Sequence, residues 1–167
     1  MGKHMIPQTA WIERKFEFNL PVGVFPVIVE RLRGAPIRLR AMLRNATNES
    51  LTQKTGDKWS VIEQVNHLCN CEEIWHGRVE DILARKEIFE RRILKTDLQS
   101  ENIEVLLGNF SVARNKLISL VENMDEQTVL LTINHPRLQR PIRLMDSLFS
   151  TAEHDDHHLA KIGERLL

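Results

Sequence analysis

The run Glu153-His-Asp-Asp-His-His158 gathers three imidazoles and three carboxylates into six residues, within about two turns if the segment is helical. Residues four apart on a helix share a face, so His154 and His158 can address one ion. His154 and His157, three apart, form a rival pair. Neutral imidazole is a ligand for several divalent metals. Stepping about 100° per residue from Leu144, Leu148, Ile162 and Leu166 puts His158 beside the apolar stripe. It puts His154 on the flank of that stripe and His157 well outside it. The expectation is therefore His154 and His158 inward and His157 outward, against the plainer reading of three surface histidines.

The other histidines are less informative. His67 lies on one flank of an apolar stripe and His76 on the opposite flank; both cannot serve one site, and periodicity does not choose between them. His135, in Asn134-His-Pro136, reads as a loop residue that could reach the mouth of a site. His4 carries no weight, because Met1 to His4 read as an appended segment ahead of a natural Met5. Asp155 and Glu72 fall near the middle of apolar stripes, where an ionised carboxylate is costly unless paired. The partner is either the free N–H of a metal-bound imidazole or an arginine such as Arg38 or Arg40. Cys71, four residues after His67, is either a soft fourth ligand or a small core residue.

Four helical stretches must position these groups. The first spans about residues 22–43 on Val24, Ile28, Leu32, Leu39 and Leu43, with a kink or short break expected at Pro36, which lacks an N–H. The second starts at a capping box, Ser60 with Glu63, and runs to about Lys86 on Val61, Val65, Leu68, Trp75, Val79 and Leu83. The third covers about residues 101–123 on Ile103, Leu106, Phe110, Ala113, Leu117, Leu120 and Met124. The fourth runs from Leu144 to the C-terminus. No convincing strand alternation is visible. Segments 44–59 and 125–142 are long for links in a helical bundle and could roof one end of it.

The chain has 167 residues, enough for one domain with a core that needs no structural metal or disulfide. Residues 1–167 are read as that single domain, with 1–20 as an N-terminal extension. Lys plus Arg and Asp plus Glu are 23 each, so no net field draws the chain to phosphate backbones, which argues against nucleic acid. Cys69-x-Cys71 is not a disulfide framework and suits a reducing, cytoplasmic setting. The longest apolar run, Leu20 to Val29, is too short and too broken by Pro21, Gly23 and Pro26 to span a membrane.

Taken together, Trp59-Ser-x-x-Glu63-x-x-x-His67-Leu68-x-x-x-Glu72 and Glu153-His154-Asp155-x-His157-His158-Leu159 resemble the second- and fourth-helix motifs of the DinB/YfiT-like metalloenzyme superfamily. His135-Pro136-Arg-Leu-x-Arg resembles that family's approach to the last helix. Glu13-Arg-Lys-Phe and Pro21-Val-Gly-Val-Phe-Pro26 are similar to its small members. The resemblance implies an all-α four-helix bundle with up-down-down-up order and a metal near one end. Its metal triad, carried over by position, is His67, His154 and His158, with Asp155 and Glu72 as carboxylates near the ligating rings. The family often has a capping Thr where this chain has Arg143, which bears on the start of the last helix.

Three neutral imidazoles leave a divalent ion its charge and an open position, where it can acidify water or a small thiol. The first expectation, drawn from the resemblance, is a thiol S-transferase of the bacillithiol or mycothiol type, with a low-molecular-weight thiol as co-substrate and a small electrophile as substrate. The second is a metal-dependent hydrolase. The third is a non-enzymatic metal-holding stress or interaction module. Zinc and nickel are the foremost candidate ions, and a homodimer is an open expectation.

Overall fold

The structure is a computed structural model and describes residues 6–166. The reading of Met1 to His4 as an appended segment lies outside the described residues. Four long helices, α1 (Phe25–Leu43), α3 (Val61–Leu83), α4 (Ile103–Val121) and α6 (Leu144–Leu166), carry the fold. Two short helices, α2 (Asn48–Thr52) and α5 (Glu126–Val129), sit in the first and third connections.

The helix starts follow from local chemistry. The Ser60 hydroxyl accepts from the Glu63 amide, while the Glu63 carboxylate accepts from the Ser60 amide at 2.8 Å, closing both halves of the capping box. Asn102 caps α4. At α6 the Arg143 amide donates to Asp146 at 2.9 Å, so a carboxylate in the first turn supplies the half of a capping box that satisfies the residue before the helix.

Contacts between helices fix the topology. Arg31 reaches Glu153 at 2.6 Å and Gly163 lies near Met42, so α1 and α6 run parallel. Arg33 meets Glu122 and Arg40 meets Glu104, so α1 and α4 are antiparallel. Cys69 donates to the Leu106 carbonyl and His76 bonds the Ala113 carbonyl, so α3 and α4 are parallel. His158 meets Gln64 and His154 meets His67, so α3 and α6 are antiparallel. The order is up-down-down-up, a four-helix bundle with neighbours α1–α4–α3–α6 closing a ring. Two consecutive parallel helices explain the length of the link between them, because residues 84–102 must travel back along the bundle.

The apolar residues form two clusters. One holds Ile28, Trp75, Val121, Leu144 and Leu148; the other holds Leu39, Val65, Leu68, Leu106, Phe110 and Ile162. Leu83 and Leu120, expected in the stripes, are partly exposed, and their neighbours Ile82 and Val121 are buried instead.

Two features differ from the sequence expectation. Helix α1 runs through Pro36 without a break. Proline leaves the carbonyl four residues earlier without its helical donor, and the guanidinium of Arg114 supplies one, donating to Leu32 O at 3.1 Å. Residues 125–142 also contain an antiparallel hairpin, β1 (Thr132–His135) with β2 (Arg140–Arg143), in register Thr132 to Arg143 and His135 to Arg140. Strands of four residues are too short to show alternation in the sequence. Main-chain bonds between Glu87, Phe89 and Asn134 tie the α3–α4 crossover to the hairpin. No helix of the described residues is long and apolar enough to cross a membrane.

Candidate metal centre

His67, two turns into α3, faces His154 and His158, one turn apart on α6. His67 Nε2 lies 3.1 Å from His154 Nε2, and His158 Nε2 lies 3.2 Å from the same atom. The ring centroids are 4.4–5.1 Å apart. The structure thus brings together the three rings that the family resemblance singled out. His76 points away and bonds the Ala113 carbonyl at 2.9 Å.

The second nitrogen settles which atom is free on His158. Gln64 Oε1 sits 2.5 Å from His158 Nδ1, so that nitrogen carries the proton and Nε2 keeps its lone pair. His154 Nδ1 is buried without a partner. Burial pushes the His67 pKa down to about 4, with Lys161 adding to the effect. Burial likewise takes His154 and His158 well below the ordinary imidazole range, with the neighbouring rings reinforcing it. Three neutral imidazoles thus bring Nε2 atoms close together, with His154 Nε2 between those of His67 and His158, an arrangement that invites a shared cation.

A tetrahedral ion with bonds of about 2.1 Å sets its ligand atoms roughly 3.4 Å apart, close to the two separations observed. The donor set therefore fits a divalent metal at His67 and His154, with His158 or Cys71 beside them as the next ligand. Cys71 offers a competing ligand: its sulfur is 3.5 Å from His67 Nε2, and it groups with His67 and His154 within 4.8 Å. Burial, with Glu72 next in effect, pushes its thiol up to about 12. That value belongs to the site without a cation, and a bound ion would displace the thiol proton, so Cys71 stands as an alternative ligand.

Asp155 and Glu72 do not orient the imidazoles. Both bind Arg114, which is fully buried: Nη1 and Nη2 reach Asp155 at 2.5 and 3.1 Å, and Nη2 and Nε reach Glu72 at 2.5 and 3.2 Å. Burial pushes both carboxyls up against the pull of Arg114. Arg114 itself is held above its ordinary value, because the fields of Asp155 and Glu72 outweigh its own desolvation. The partner is an arginine, as one sequence reading allowed, but it is neither Arg38 nor Arg40. Arg114 stands in the apolar stripe of α4, four residues after Phe110 and three before Leu117, and that placement was its signal. The group holding an imidazole is Gln64, one turn before His67.

His157, expected to face solvent, is 2% exposed. The N-terminal segment covers it: Gln8 bonds its Nδ1 and its carbonyl, both at 3.0 Å, and the Trp11 ring lies 5.7 Å away. The same segment is tied down along its length. Arg14 pairs with Glu153, while Arg140 and Arg143 donate to the carbonyls of Phe16, Phe18 and Leu20.

Three tryptophans frame the imidazoles. Trp11 and Trp75 meet the His154 ring at 5.1 and 5.3 Å, and Trp59 lies 5.0 Å from that of His67. Beyond Trp11 and Trp75 opens a cavity of about 670 Å³ between the N-terminal segment, α3, the hairpin and α6. His135 lines it, buried against Phe89. Beyond Trp59 and Gln64 lies a second cavity of about 710 Å³.

Comparison with known proteins agrees with this fold. The sequence profile described as DinB superfamily matches residues 31–162. Among solved structures, YfiT from Bacillus subtilis superposes with a TM-score of 0.79 at 19% identity, over 92% of this chain and 91% of that one. YfiT is described as a probable metal-dependent hydrolase with an unusual four-helix bundle topology; at that identity the likeness concerns the fold. No curated protein matches the chain.

Proposed function

The chain belongs to the DinB superfamily, and on that premise we propose that it is a metal-dependent hydrolase acting on a small molecule, with His67, His154 and His158 as the metal ligands. The observation that carries this reading is the approach of His67 Nε2 and His158 Nε2, from two helices, to His154 Nε2 at 3.1 and 3.2 Å. The description of YfiT as a probable metal-dependent hydrolase supports the choice of reaction. A divalent ion held by three imidazoles supplies a Lewis acid with an open position that lowers the pKa of water or a thiol.

The chain's own residues do the rest. Gln64 fixes the tautomer and rotation of His158, as hydrogen-bonded partners of ligating histidines do. Trp11, Trp59 and Trp75 wall the rings from bulk water, which strengthens electrostatic interactions inside. The cavity beside Trp11 and Trp75 is the space for substrate.

A second reading, thiol S-transfer, is favoured by the carboxylates. Glu72 and Asp155 are held by Arg114, Glu153 by Arg14 and Arg31, and Glu63 by Lys54. None of these four is free to take a proton from attacking water. A thiol that gives up its proton on binding the ion needs no such base.

Protein loaded with zinc or nickel separates the two. Turnover of nitrophenyl esters or anilides without added thiol, abolished by His154→Ala, supports hydrolysis. Turnover of a chlorodinitrobenzene electrophile only when a small thiol is present supports transfer. Tight metal with silence in both assays would leave a non-enzymatic metal-holding module.

A further inference from the structure

Arg14, Lys15, Arg78, Arg137 and Arg140 line the 670 Å³ cavity against one carboxylate, Glu17. Two of these cations are already engaged. Arg14 is paired with Glu153, and Arg140 donates to main-chain carbonyls of the N-terminal segment. Lys15, Arg78 and Arg137 have neither a carboxylate nor a hydrogen-bond partner among the described residues, and Lys15 is exposed to solvent.

Arg78 is not a freely solvated side chain. Its guanidinium lies over the rings of Trp75 and Phe89 at 5.0 and 5.3 Å. Burial, followed by the field of Arg137, draws its pKa down to about 10. A desolvated cation without a counter-ion is unfavourable, and contacts with ring faces return only part of the loss. Both arginines also act on His135, which burial and their fields bring down to about 4. The cavity is thus a positively charged, half-dry space with a neutral imidazole and the hydroxyls of Ser147 and Ser150 in its wall. Trp75 touches Arg78 on one side and the His154 ring on the other, so this charge stands one indole away from the imidazole cluster.

We infer that this cavity binds a small molecule bearing a carboxylate or phosphate, anchored by Arg78 and Arg137. As an assignment of the substrate's chemical class, it rests on the catalytic reading above. Guanidinium forks match planar carboxylates and phosphates, and low-dielectric walls strengthen the attraction.

The test is a titration of the full-length chain with succinate, inorganic phosphate and the neutral isostere succinamide, followed by calorimetry and tryptophan fluorescence. Succinate or phosphate should saturate, and the tighter of the two names the headgroup. Succinamide should bind at least tenfold more weakly. Arg137→Met and Arg78→Met should each weaken the anion about tenfold or more, and added salt should weaken it in the wild type. Arg137 is exposed on the hairpin turn, so its variant keeps the test decisive even if Arg78→Met proves unstable. Saturation by neither anion, equal binding of succinamide, or an Arg137→Met chain that binds like the wild type would overturn the inference. The same titration on metal-stripped wild type, with elemental analysis alongside, separates this idea from the catalytic one. Anion binding to a chain that never holds metal removes the enzyme reading and leaves this site standing. Metal without anion binding does the reverse.

Discussion

Arg114→Met removes the one cation from a fully buried trio. Arg114 is 0% exposed, Asp155 1% and Glu72 2%, and the guanidinium makes four bonds to the two carboxylates plus one to Leu32 O. Breaking a buried pair by deleting one partner costs about 3–5 kcal/mol, and here two carboxylates and a carbonyl are stranded. In a chain of this size that corresponds to a fall in Tm of roughly 6–20 °C. The pH dependence follows from the same burial. Without Arg114, desolvation holds the folded pKa values of Glu72 and Asp155 above the unfolded values of about 4. Protonated carboxyls then stabilise the variant at low pH, and that stability is lost as pH rises through the folded values. Urea unfolding followed by circular dichroism at pH 5 and pH 8 should show a smaller deficit at pH 5. Replacing all three groups with apolar residues should recover most of the loss, and that triple variant should still load metal, since the trio touches no imidazole. A deficit below about 1 kcal/mol, or one independent of pH, would refute the argument.

Further outcomes follow from other contacts. Gln64→Leu frees His158 Nδ1 and should weaken metal about 10–100-fold in a chelator competition, whereas Cys71→Ser should keep one ion per chain. A methyl group at Gly77 would run into Arg92, which clamps buried Asp81. Gly77→Ala should therefore cost about 1–3 kcal/mol, and much less once Asp81→Asn has already released Arg92, a coupling read from a double-mutant cycle. The metal-free chain carries imidazoles depressed by burial, His67 and His157 to about 4. Its stability should hold above the unfolded histidine value of about 6.5 and fall as pH drops from there toward 4, because the unfolded chain takes up those protons first. A flat profile between pH 7 and 5 would contradict this.

The four helices were legible in the sequence because each has a cap or a long apolar stripe; Ser60 with Glu63 marked α3 to the residue. His154 and His158 were legible as a pair because helical spacing alone sets their common face. The choice of His67 over His76 came from the family resemblance, since both sit on flanks that periodicity treats alike. What periodicity could not carry was cover from irregular chain. His157 lies on the outer face of α6, yet residues 8–11, which have no repeating pattern, bury it. Continuity through Pro36 depends on a donor from another helix, and no local rule contains that. Arg114 was the missed opportunity: a cation inside an apolar stripe, and two carboxylates inside theirs, are each costly alone and cheap together.

The central claim is that three imidazoles from α3 and α6 hold one divalent ion. Elemental analysis of protein purified without a polyhistidine tag tests it most directly. One ion per chain is expected in the wild type and in His76→Ala, with loss of the ion and near-intact helical content in His67→Ala, His154→Ala and His158→Ala. A wild-type chain without stoichiometric metal after reloading, or full occupancy in the three ligand variants, would contradict the claim.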